Sequence, residues 1–337
     1  MYEAWQLFNE LNLHEVTRLV FAGAMLIAMV IDCVVGWPSR LFDQIGHPVS
    51  WLGHFIDSLD RRWNHEENTE TLRRAAGIVT AVAVTGVTAA IAAVVQLLLP
   101  SGWAGIVLTG VVAWPFLAPR SLFEHVAAVH RPLTEGDLAS ARAAVAMIVG
   151  RDTSHLDEAG IARAALESLG ENTSDGVVAP LFWGVLLGLP GLAAYKAINT
   201  LDSMIGHRTE RHEAFGWASA KIDDIANFIP ARLTGVVFAM VSGRPRTAMI
   251  CMMRDAGKHR SPNAGWPEAA LAGGLDVRLS GPRDYGGQSS REPWLNGTGR
   301  DPAAGDIKLG LQLYTLAMLV CGAALILVFV FTINQGI

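Results

Sequence analysis

Glu167, Glu171 and Asp175 recur every four residues within Glu167-Ser168-Leu169-Gly170-Glu171-Asn172-Thr173-Ser174-Asp175-Gly176. On a helix this spacing lines the carboxylates along one face, where like charges repel unless something cationic faces them. A second acidic set follows at Asp202, Asp223 and Asp224, and Asn172, Asn199 and Asn227 stand beside the two sets. All are hard oxygen donors, the ligand chemistry of Mg²⁺, which takes few protein carboxylates and completes its octahedron with water and substrate phosphate. A charged helix face paired with Arg163, Lys196, Arg211, Lys221 and Arg232 would explain the same residues without a metal. What favours metal or catalytic use is the setting, because the carboxylates flank the apolar segment Val177 to Leu192 instead of coating a water-facing surface.

Other segments carry groups suited to anions. Ile148-Val149-Gly150-Arg151-Asp152-Thr153 places a glycine, an arginine and a hydroxyl ahead of an expected helix start, where backbone N–H groups and the helix dipole favour phosphate. An ordinary helix start with a surface arginine fits that segment equally. Lys258 and Arg260 precede Ser261-Pro262-Asn263-Ala264-Gly265-Trp266-Pro267-Glu268, either a phosphate-holding turn or a turn shaped only by proline. Asp32 lies in an apolar stretch, where a carboxylate is a functional candidate or an interface residue reaching water. His47-Pro48-Val49 is either a turn or a ligand-binding element. The chain has no G-x-x-x-x-G-K-[ST] loop, H-E-x-x-H, C-x-x-C or G-x-S-x-G. Gly184 and Gly188 form a G-x-x-x-G, which signals helix packing more than chemistry.

The elements that must position these groups are apolar. Of 337 residues, 51% are hydrophobic and 17% charged, and the mean hydropathy of +0.32 exceeds that of ordinary soluble proteins. The net charge of -5 comes without a basic block, which excludes a nucleic-acid partner. Cys33, Cys251 and Cys321 are scattered and form neither a disulfide framework nor a thiolate site. Residues 1 to 16 have no Lys or Arg and so lack a signal-peptide n-region. The first apolar stretch is therefore expected to be retained.

A bilayer-spanning helix takes about 20 apolar residues. The candidates are 16–36, 75–99, 103–119 and 311–333, with weaker ones at Val177 to Leu192 and Phe228 to Val241. Arginines and lysines concentrate in 37–74, 120–176 and 244–310, which puts those segments in the cytoplasm. The segment 177–241 then enters as a re-entrant or buried hairpin that does not span. The expected architecture is an all-α integral membrane protein, a single polytopic domain of about four transmembrane helices, with this hairpin and helical cytoplasmic segments. Leu138 to Ile148 reads as a helix, and Ser154-His155-Leu156-Asp157 as the cap of another through Ala165.

Taken in order, these segments resemble the CbiB/CobD family of cobalamin biosynthesis, the adenosylcobinamide-phosphate synthases. The resemblance runs over about residues 30 to 290. Its motifs are His47-Pro48-Val49, Ile148 to Thr153, Glu167 to Leu181 and Asn199-Thr200-Leu201-Asp202-Ser203-Met204, then Phe215-Gly216-Trp217, Asp223-Asp224 to Leu233, Ser261-Pro262-Asn263-Ala264-Gly265 and Tyr285-Gly286-Gly287. It departs at Trp37, where Asp is expected, and at Lys221, where Arg is expected and the bidentate fork is lost.

The resemblance implies an ATP-dependent amide ligase that joins the free propionate of adenosylcobyric acid to (R)-1-amino-2-propanol phosphate. ATP and Mg²⁺ would be required, with cobalt present only inside the corrinoid substrate. Glu167, Glu171, Asp175 and Asp224 are the implied catalytic groups, and Glu171, Asp175, Asp223 and Asp224 the implied metal ligands. Substrate and phosphate would be held among His47, Arg151, Asp152, Thr153, Asn172, Lys196, Asn199, Arg232, Lys258, Ser261 and Asn263. The resemblance also implies the bacterial inner membrane with a cytoplasm-facing site, contact with membrane lipid, threonine-phosphate decarboxylase and other pathway enzymes as partners, and a homo-oligomer. A membrane transporter of a corrinoid or small molecule, or a non-catalytic membrane platform of the same fold, are the rival readings.

Overall fold

The structure, a computed structural model, describes residues 21–150, 152–207, 209–285, 288–290 and 292–336. The N-terminal stretch expected to be retained, the start of the first candidate span, Arg151, Arg208 and Gly286-Gly287 lie outside the described residues.

The described chain is almost entirely helical, as expected of an all-α membrane protein. In the first half are α1 (Phe21–Val35), α2 (Ser39–Ile45), α3 (Pro48–Trp63), α4 (Glu70–Leu98), α5 (Gly102–Ala113), α6 (Pro119–Thr134) and α7 (Leu138–Ala146). Then come α8 (Glu158–Thr173), α9 (Ala179–Leu201), α10 (Trp217–Ala226), α11 (Phe228–Val241), α12 (Pro245–Asp255), α13 (Gly265–Leu275) and α14 (Ala304–Gly336). Between the last two, β1 (Leu279–Ser280) pairs antiparallel with β4 (Trp294–Leu295), and β2 (Arg283–Tyr285) with β3 (Gln288–Ser290).

Among the described residues, four helical runs are long and apolar enough to cross a bilayer, Glu70–Leu98, Gly102–Thr134, Glu158–Gly206 and Ala304–Phe331, or up to six if two broken pairs each count as one. Three coincide with stretches marked by the sequence. The run Glu158–Gly206 contains Val177 to Leu192, which the sequence reading treats as part of a hairpin. The α1 helix passes only together with Ser39–Trp63, across a 109° bend. That bend follows Gly36, whose φ of 64° ends the helix, and Pro38 just beyond it.

The chain packs as two compact units, one of Met1–Ala118, Ala179–Ala226 and Gly322–Ile337, the other of Pro119–Val178 and Asn227–Cys321. In the first, α3, α4, α9 and α10 pack together around Ile56, Val84, Leu201, Ile205 and Phe215. Gly77 on α4 lets the Phe215 backbone approach so closely that a Cβ there would fall 1.8 Å from its carbonyl oxygen. The α9 helix breaks at Gly188, whose φ of 69° is followed by Pro190. The N–H of Leu189 freed by that break donates to Gln96 Oε1 of α4 at 2.8 Å. A Cβ at Gly184 would run into the Met25 side chain, so the G-x-x-x-G is a packing element. Gln96→Leu is expected to destabilise by about 1–3 kcal/mol through the unpaired buried donor, read as a lower unfolding midpoint in detergent.

In the second unit, α8, α11, α12 and α13 pack on one another, with α6 and α7 against α8. The α8 helix starts at Glu158, not at Ser154, because Asp157 supplies the cap by accepting from Gly160 N–H at 2.7 Å. Ser154 to Leu156 instead form a turn held by Arg142, whose Nε donates to Leu156 O. The guanidiniums of Arg163 and Arg278 both lie over the Trp294 ring, and both pair with Asp301. Those bonds, Arg278 first, hold the Asp301 carboxyl below its usual range.

Candidate functional site

The second unit gathers the acidic stripe and the basic turn into one packed layer. The last turn of α8 carries Glu171 and Asn172, both exposed, and runs into a π-helical turn, Ser174–Val178, that carries half-buried Asp175. This turn packs on α11, which begins after buried Asn227 and carries Arg232. The α11 helix in turn packs on α13, reached through the turn Ser261 to Ala264. Glu167 lies on α8 but is buried and accepts from Ser280 N–H at 2.7 Å, so it anchors β1. Of the other two members of the stripe, Glu171 is exposed and Asp175 half-buried.

Arg232 is held against two aromatic rings. Its guanidinium lies 3.5 Å from the Phe228 ring centroid and 4.4 Å from that of Trp266. Nη1 donates to Phe228 O at 2.6 Å and reaches Asn263 Oδ1 at 3.4 Å. Ring contacts of this kind do not consume N–H donors, so those not bonded to Phe228 O and Asn263 suit an anion. Asn263 is buried, and Ser261 Oγ accepts from the N–H groups of Asn263 and Ala264, each at 3.2 Å.

Other expected anion ligands have structural work. Lys258 Nζ pairs with Asp255 Oδ1 at 2.7 Å. Thr153 is buried and its hydroxyl donates to Arg142 O at 3.2 Å, while Asp152 accepts from Ser154 N–H at 2.8 Å, which holds its carboxyl below the usual range. Because α8 starts at Glu158, neither residue stands at a helix N-terminus. Asn172 Nδ2 donates back to Ser168 O at 2.9 Å.

The first unit holds the remaining candidates. His47 is the N-cap of α3, accepting from Val49 N–H at 3.2 Å through Nδ1, with Pro48 at the first helical position. Trp37, which replaces the expected Asp, packs edge-on against the His47 ring at 4.7 Å. Lys196 is near enough for its charge to act on that ring. Near Asn199, Asp202 and Asp224 are close enough to repel. Asp224 pairs with Lys221 at 3.1 Å, and Asp223 is buried on α10.

Among the described residues no three or more His, Cys, Asp or Glu side chains gather as a metal cage. A Mg²⁺ ion completed by substrate phosphate and water needs only one or two of these carboxylates. The hard-oxygen donors fit that ion, and none of the three cysteines is among them. Cys251 is buried, which pushes its thiol up to about 12.

Sequence reasoning passed over two features here. Asp255 is fully buried under Arg254, Lys258 and the Asn296 N–H. His259 and Glu268 face each other in the interior, although Glu268 ends a segment already singled out. The signal was present in His259, an aromatic base between Lys258 and Arg260 immediately before the turn.

The profile of the CobD/Cbib protein family matches residues 25–314. The cobalamin biosynthesis protein CobD of Rhodobacter capsulatus is 60% identical over 298 residues, 88% of this chain and 94% of that protein. Proteins of the same name from a Sinorhizobium species and from Brucella suis biovar 1 are each 45% identical, covering 86% and 90% of this chain and 92% and 97% of their own length. No solved structure matches.

Proposed function

Because the chain belongs to the CobD/Cbib protein family, we propose that it acts in cobalamin biosynthesis as an ATP-dependent ligase. It joins the free propionate of adenosylcobyric acid to (R)-1-amino-2-propanol phosphate, giving adenosylcobinamide phosphate. The observation that carries this reading within the site is the Arg232 guanidinium, set over the Phe228 and Trp266 rings and bonded to Asn263, in the unit that also carries Glu171 and Asp175.

A carboxylate does not react with an amine at neutral pH, so the propionate oxygen first attacks the γ-phosphorus of ATP, releasing ADP and leaving an acyl phosphate. The amine nitrogen then forms the C–N bond as phosphate leaves, and a carboxylate takes the proton from nitrogen. Glu171 is exposed to accept that proton, and Arg232 with Asn263 orients a phosphate. One or two carboxylates of Glu171 and Asp175, or of Asp223 and Asp224, would hold Mg²⁺, which would supply charge neutralisation on the phosphates. His47, Lys196 and Asn199, in the first unit, are the further candidates to hold corrinoid or phosphate. The inner membrane holds the protein, with its polar segments in the cytoplasm.

The test is the purified chain in detergent with adenosylcobyric acid, aminopropanol phosphate, ATP and Mg²⁺. Amide product that requires both ATP and Mg²⁺ is expected. Absence of product from protein that is folded and binds the corrinoid would overturn the ligase reading in favour of a transporter or platform.

A further inference from the structure

We infer that His259 and Glu268 are positioning residues that set the phosphate-binding edge of Arg232 through the Ser261 to Ala264 turn. This rests on the reading of Arg232 as a phosphate ligand and adds two buried groups that the reaction itself does not use.

The chain of contacts begins in the interior. Glu268 stands in the first turn of α13, where the helix dipole favours a carboxylate, and its side chain is 2% exposed. Its Oε1 faces His259 Nε2 at 3.7 Å, and the imidazole is 6% exposed. The other ring nitrogen, Nδ1, accepts from Ser261 N–H at 3.0 Å. A nitrogen that accepts carries no proton, so the neutral ring holds its proton on Nε2, pointed at the carboxylate. The Glu268 carboxylate, on the Nε2 side of the ring at 3.7 Å, electrostatically favours this tautomer, the one that can hold Ser261.

Ser261 passes this on. Its hydroxyl oxygen accepts from Asn263 N–H and Ala264 N–H at 3.2 Å each, closing the turn. The closed turn presents Asn263 Oδ1 to Arg232 Nη1 at 3.4 Å and leads into Trp266, whose ring covers the same guanidinium. Turn and ring are thus set together by one buried acceptor. Both nitrogens of His259 face partners inside the protein, which separates it from an acid or base that meets substrate.

The two amide replacements of His259 divide the contacts. Asparagine carries an oxygen near the position of Nδ1 and keeps the bond from Ser261 N–H, whereas glutamine reaches toward Glu268 and loses that acceptor. His259→Gln is expected to raise the KM for the phosphate substrate on Arg232, aminopropanol phosphate or ATP, about tenfold, within the range lost with an outer hydrogen-bond partner. Its kcat should stay within threefold, and His259→Asn should restore KM to within threefold of the parent. Arg232→Gln, measured beside them, should raise the same KM at least as much. If Arg232→Gln raises KM while His259→Gln leaves it unchanged, or if Asn and Gln are equally impaired, the relay is overturned and the phosphate reading stands. An unchanged KM in Arg232→Gln overturns both.

Discussion

Glu171→Gln is expected to lower kcat about 100-fold or more, the lower end of what removing a general base costs, while leaving the fold intact. Glu171 is exposed at the end of α8, so the exchange should change stability by no more than about 0.5 kcal/mol. The two roles open to this carboxylate separate on magnesium dependence. If Glu171 holds Mg²⁺, the concentration required for half-maximal rate rises in the variant. If it takes the proton from the amine, that concentration is unchanged and the alkaline shift of the pH–rate profile reports the missing base. Activity within twofold of the parent would remove Glu171 from both roles. Glu167 provides the contrast from the same stripe, because Glu167→Gln weakens the anchor on Ser280 N–H, and its loss should appear first as about 1–3 kcal/mol of stability.

Asp255→Asn should destabilise the protein by about 2–3 kcal/mol, the scale of hydrogen bonds to a charged group. The carboxylate is fully buried while Arg254 and Lys258 remain partly in water, so the loss falls on the acceptor side, including Asn296 N–H. Its pH dependence follows from the same geometry. Burial by itself pushes the Asp255 carboxyl up, but hydrogen bonds from Arg254, Lys258 and Asn296 N–H outweigh it and hold the group well below its usual range. An aspartate depressed in the folded state stabilises fully above its unfolded pKa of about 3.9 and loses that contribution as pH falls toward the folded value. The unfolding midpoint of the parent should therefore fall more steeply than that of Asp255→Asn between about pH 4 and pH 2. Parallel curves would show that the carboxylate is not held in this way.

The sequence by itself determined the class of the protein. Long apolar runs leave little choice but helices in a membrane, since every backbone group must be satisfied within its own segment. The hard oxygens of Glu171, Asp175, Asp223 and Asp224 and the ordered motifs around them were equally legible, because residue type and spacing survive without coordinates. Tertiary structure decided which of those residues are available. Glu167, Glu171 and Asp175 share a helical spacing, yet only packing of β1 on α8 makes Glu167 an anchor. Asp157 won the cap from Ser154 because Arg142, distant in sequence from Leu156, ties down the preceding turn. Lys258 looked like a phosphate ligand beside a turn, and buried Asp255 engages it. Arg232 was one arginine among several until Phe228 and Trp266, on two different helices, were brought against its guanidinium. Local periodicity reports which face a residue occupies. Which partner waits at that face is set by contacts between segments far apart in the chain, and no local pattern encodes them.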